Sequence, residues 1–179
     1  MKKAVLISII LVSAFGFGHA QENTRANGFG FGMHLAQYQR DFGLGLNVTS
    51  PYFINDRTAL RLRANMAWNE HLDTSNEMTW SKYSSMSIGF TNIAGQIADR
   101  IRIYGEGGIQ LLFPSDLIST SNLEMGGYGL FGFEFFMSDH HNYFIELGGL
   151  GIGAKADKLA TKPIYSNGFV MNVGFRLQL

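Results

Sequence analysis

The chain contains no cysteine, so it has neither a disulfide framework nor a thiol to carry a bacterial lipid anchor. Charge is also scarce. Asp, Glu, Lys and Arg together make up 16% of the residues, against ~25% in ordinary soluble domains. Beyond the first 20 residues no apolar run reaches the ~20 residues that a membrane-crossing helix needs. Lysine is nearly missing where a water-facing sheet would carry it. After residue 20 only Lys82, Lys155, Lys158 and Lys162 remain, in or beside polar connections. These shortages argue against a soluble charged surface and against membrane helices.

At the N-terminus, Lys2 and Lys3 precede an apolar or small-residue run from Ala4 to Phe17, then Gly18-His19-Ala20. This is the layout of a secretory signal peptide with small residues at the −3 and −1 positions of a cut after Ala20. The expected division is a cleaved signal over residues 1–20 and one domain over residues 21–179. Cleavage removes Lys2 and Lys3, leaving 12 basic residues against 14 acidic ones, a net charge of −2. Such a balance gives no reason to expect nucleic acid as a partner.

What is abundant is a period of two. In "GFVMNVGFRLQL" the residues Phe169, Met171, Val173, Phe175, Leu177 and Leu179 share one face, while Asn172, Gly174, Arg176 and Gln178 share the other. The pattern recurs in seven further segments, whose apolar sides are as follows. They carry Phe29, Phe31, Met33 and Leu35; Phe42, Leu44, Leu46 and Val48; Leu60, Leu62, Ala64, Met66 and Trp68. Next come Met86, Ile88 and Phe90; Ile101, Ile103, Ile109, Leu111 and Phe113. The last two have Met125, Phe131, Phe133 and Phe135, and Tyr143, Ile145 and Leu147. Eight strands are expected.

Residues 69–82, 114–122 and 155–165 read as long polar loops, with shorter links near 39–41, 50–57, 92–100 and 137–142. Aromatics gather at strand ends. Trp68, Trp80, Tyr83, Phe113 and Tyr165 lie toward the long loops, and Tyr52, Phe53, Phe136 and Tyr143 toward the short ones. Two such girdles and the loop asymmetry are marks of an outer-membrane barrel. A soluble lipocalin-like barrel would put the same apolar face inward. It would also stud its exterior with lysine and glutamate, yet none of the four lysines after residue 20 lies in an expected strand, and the polar faces carry glycine, serine, a few arginines and only a few glutamates. The expected fold is therefore all-β, an eight-stranded antiparallel up-and-down transmembrane β-barrel. An even strand count puts both termini on the periplasmic side, and pairing of last strand with first lets Leu179 face lipid.

Signal peptide, eight alternating strands, girdles and terminal strand together resemble the small outer-membrane β-barrels of Gram-negative bacteria, of the OmpA, OmpX and opacity-protein type. The resemblance spans residues 27–179 and is architectural. It implies a monomer in outer-membrane lipid, inserted by the barrel-assembly machinery. Many members end their last strand in an aromatic residue, where this chain has Leu179.

The polar faces hold the candidate site. Arg61, Arg63, Arg102 and Arg176 share them with Glu106, Glu134 and Glu146, beside Tyr104, His34, Asn65, Asn172 and Gln110. Buried charges persist only when paired, and eight strands leave an interior just wide enough for side chains. A structural plug is the first reading of these seven charges, and a small ion path the rival.

An enzyme is the alternative. Some outer-membrane barrels of this size resemble the chain and are lipid A or phospholipid acyl hydrolases or acyltransferases. On paper His71, Asp73 and Ser75 in the first long loop supply base, acid and nucleophile. His140 and His141 are adjacent in a turn, and adjacent strand residues diverge, which disfavours a metal pair. "GIGAKA" at 151–156 matches G-x-G-x-x-A after a strand, but no helical period follows, so no dinucleotide site is expected. No cofactor is expected, and no sequence feature names a loop partner.

Overall fold

Alternation of apolar and polar side chains across eight segments gives each strand one face for each environment. The structure, a computed structural model, describes residues 28–39, 41–72, 77–98, 100–159 and 161–179. The expected signal peptide, residues 1–20, lies outside them. Eight strands follow one another: β1 (Gly30–Tyr38), β2 (Asp41–Thr49), β3 (Thr58–Leu72) and β4 (Met78–Ile97), then β5 (Ile101–Phe113), β6 (Glu124–Phe136), β7 (His141–Lys155) and β8 (Ile164–Gln178). Each pairs antiparallel with its neighbours in sequence, and β1 closes the ring on β8 from Gly30↔Gln178 to Tyr38↔Val170. The fold is thus an all-β, up-and-down closed barrel, and closure leaves no edge along its wall.

The apolar faces point outward. One row runs Met33, Leu46, Ala64, Met86, Leu111 and Met125 across six strands in register. Polar residues point inward, and the end of the barrel where Gly30 and Gln178 meet is here the terminal end. At that end the link between β2 and β3 turns through Ile54–Arg57, with Ile54, Asn55 and Asp56 at positive φ. Asn and Asp tolerate this region better than a β-branched residue does.

Two expectations change. Residues 69–82 are mostly strand, because β3 runs on to Leu72 and β4 starts at Met78. Polar composition hid the alternation. Asn69, His71 and Ser81 are buried, whereas Leu72, Met78 and Trp80 are exposed. The resulting hairpin projects past the nine-residue strands β1 and β2. The girdles are also thinner than the aromatics suggest. Tyr52, Tyr83, Phe136 and Tyr165 are buried inside the barrel. Tyr83 shares the inward parity of Ser81 and Ser85, while Tyr165 is turned inward by a register shift between Gly151 and Ala154 on β7. Gly153, within that shift, has φ +68°, a conformation suited to glycine.

Candidate functional site: two charged layers inside the barrel

Sequence alternation sends Arg61 and Arg63 of β3 inward with Glu106 of β5 and Glu146 of β7. In the middle of the barrel these four meet. Arg61 donates to Glu106 at 2.6 Å and to Glu146 at 3.1 Å. Arg63 forks onto both carboxylates, with Nε and Nη2 to Glu106 at 2.9 and 2.5 Å, and Nη1 and Nη2 to Glu146 at 2.8 Å each. Forked, charge-assisted bonds of this kind are the stronger hydrogen bonds in proteins. Neutral donors complete the carboxylates. Tyr104 and Asn172 reach Glu146 at 2.6 and 2.9 Å, and Tyr128 reaches Glu106 at 2.9 Å. Glycine makes room for this crossing. A Cβ at Gly132 would fall 2.3 Å from the Tyr104 ring.

A second layer lies nearer the terminal end. Glu134 of β6 accepts from Arg102 of β5 at 3.1 Å and from Arg176 of β8. Arg102 also donates to the Tyr52 hydroxyl at 3.1 Å and sits 4.7 Å over the Phe136 ring, and Arg176 sits 4.6 Å over Phe144. All seven charged residues singled out in the sequence are at most 5% exposed.

Sequence reading missed a fourth buried carboxylate. Asp41 was placed in a link, yet it opens β2 and is 1% exposed at the far end. Its carboxylate accepts from the Tyr83 hydroxyl at 2.7 Å and from the Ser166 amide at 3.1 Å. The inward parity of residues 43, 45, 47 and 49 was the signal for it. Between this end and the middle layer, His34, Tyr38, Asn65, Ser87, Gln110 and Leu130 border a cavity of about 20 Å³. That is room for about one water molecule.

Buried apolar side chains gather at the far end. Ile118, in the connection from Phe113 to Glu124, is fully buried, while its neighbour Leu117 is 76% exposed. Ile118 packs in one cluster with Leu112, Ala154, Ala156 and Tyr165. The connection is tied down by Asp157, whose carboxylate accepts from the Thr120 amide at 2.8 Å and from the Thr120 hydroxyl. The Thr120 hydroxyl, and then its amide, hold the Asp157 carboxyl below the usual carboxylate range. A depressed carboxyl keeps its bonds at neutral pH and loses them only as pH falls through that lowered value.

Of the alternative catalytic set, the structure describes only His71. Asp73 and Ser75 lie outside the described residues. His71 turns inward, with Nε2 2.9 Å from Ser81 Oγ and Nδ1 3.2 Å from the Leu72 carbonyl oxygen. His71 and Ser81 are 9% and 6% exposed. His140 and His141 diverge, one ring bonding the Gln178 carbonyl and the other Ser138 Oγ. Among the described residues no cluster of His, Asp and Glu is placed to hold a metal ion. "GIGAKA" ends β7 and enters a loop rather than a helix.

The structure is similar to the crystal structure of the N-terminal β-barrel domain of Pseudomonas aeruginosa OprF, with a TM-score of 0.57. The likeness covers 87% of this chain and 100% of that one, at 13% sequence identity. It is a likeness of fold. No protein-family model matches the chain, and no curated protein matches it.

Proposed function

We propose that the chain is an integral outer-membrane β-barrel protein whose paired interior charges form a non-conducting plug. Its role is structural or exercised through the loops of the far end, without catalytic activity. The observation that carries this reading is the inversion of the usual soluble arrangement. Arg61, Arg102, Glu134 and Glu146 are at most 1% exposed, while Leu46, Met86, Phe90, Met125 and Phe169 are each more than half exposed. A continuous apolar belt of this kind is stable against lipid and is a site of association in water. The likeness to the OprF barrel domain supports the same reading.

In this account the termini are periplasmic, the far-end loops face outward, and the barrel-assembly machinery inserts a monomer. Expression in a Gram-negative host with sucrose-gradient fractionation and N-terminal sequencing tests it. The expected product begins at Gln21 and sediments, folded, with outer membranes. Recovery of the folded barrel from the soluble periplasm would reverse the facing and favour a lipocalin-like protein.

A further inference from the structure

We propose that the ten residues between Phe113 and Glu124 form a latched lid over the far mouth, with Ile118 as its stopper and Asp157 as its latch. This goes beyond the plug, because it concerns a second closure at the other end of the interior.

The stopper is defined by contrast with its surroundings. The lid carries Ser115, Asp116, Thr120 and Ser121 on its outside, whereas Ile118, with Ser119 beside it, is buried, Ile118 among Leu112, Ala154, Ala156 and Tyr165. Tyr38, Leu130, Leu150 and Val170 continue the same apolar cluster deeper in the barrel, toward the small cavity beside Arg63. Leu117 and Leu123 of the same segment are exposed, so Ile118 is the apolar side chain that burial holds there, and it leaves a well with apolar walls when it withdraws.

The latch is defined by where the bonds go. Among the described residues, the hydrogen bonds that the lid makes beyond itself run to one segment of the β7–β8 loop. Thr120 donates twice to Asp157, the Lys158 amide donates to the Ile118 carbonyl at 3.1 Å, and Lys158 Nζ donates to the Asp116 carbonyl at 2.6 Å. Among the described residues, the barrel wall holds the lid by packing around Ile118. A segment secured at few points on an exposed surface is the kind that opens locally while the rest stays folded. The two charged layers lie below and share no residue with the latch, so the lid can open without unpairing them.

The absence of cysteine makes a clean test. Ala154→Cys places a single thiol beneath the stopper, and Asn142→Cys places one at the terminal end, where Asn142 is 1% exposed. Each barrel is refolded into nanodiscs, checked for heat-modifiable mobility, and titrated with a membrane-impermeant maleimide. At position 154 the parent should react slowly, and Asp157→Ala should accelerate the reaction by about tenfold or more. That is the factor expected when a closing charge-assisted hydrogen bond is lost. Thr120→Val, which keeps the amide donor, should give an intermediate rate, and position 142 should not change. Rapid labelling of position 154 in the parent, no acceleration by Asp157→Ala, or equal acceleration at both positions would each overturn the lid. The readout needs only a folded barrel, so its failure leaves the outer-membrane reading standing.

Discussion

Replacing Glu146 with alanine is expected to lower the stability of the refolded barrel by about 3–5 kcal/mol, the cost of stripping one partner from a buried ion pair. Glu146 is the acceptor on which Arg61, Arg63, Tyr104 and Asn172 converge. Its loss leaves Glu106 as the one carboxylate facing two guanidiniums and strips the buried Tyr104 hydroxyl of its acceptor. Glu146→Gln keeps the volume and one acceptor oxygen, so it should cost less. Urea titration in lipid vesicles measures both. A loss below about 1 kcal/mol for Glu146→Ala would mean that water fills the middle of the barrel and screens the pair.

Ile109→Arg carries the second large effect. Ile109 is 53% exposed on the outward face of β5, and Phe113 is on the same face four residues on, at the far end of the strand. An arginine facing lipid near mid-bilayer costs about 2–4 kcal/mol, and at the interface about 0–1 kcal/mol. The same titration should therefore rank Ile109→Arg well above Phe113→Arg. Equal small effects would place this face in water. A larger effect at Phe113 would shift the membrane band toward the loops.

The alternation made the fold legible because lipid-like and enclosed surroundings differ sharply in polarity, so every strand declares its facing residue by residue. That is why Arg61, Arg63, Arg102, Glu106, Glu134, Glu146 and Arg176 could be placed inward from sequence alone. Facing is hidden where an inward polar residue has polar or charged neighbours in sequence on the outward side. Beyond Trp68 the outward face carries Glu70 and the inward face Asn69 and His71, so the projecting part of β3 reads as a loop. Asp41 was lost to the same effect, as a charged residue beside Gln39 and Arg40 looks like a turn. Tyr165 needed the register shift on β7, which no period of two can report. Ile118 was beyond reach. Leu117 and Ile118 are equally apolar, and only the path of the loop decides which one is buried.

The reading of the interior as structure rather than passage rests on two charged layers bridged across the lumen and a mouth stoppered by Ile118. Planar-bilayer recording of the folded, inserted, unmutated barrel tests it most directly. The account predicts current at the level of the bare bilayer, with no steps at moderate voltage. Sustained, well-defined single-channel steps would show that the Arg63 and Glu134 layers line a conducting path, and the account would be wrong.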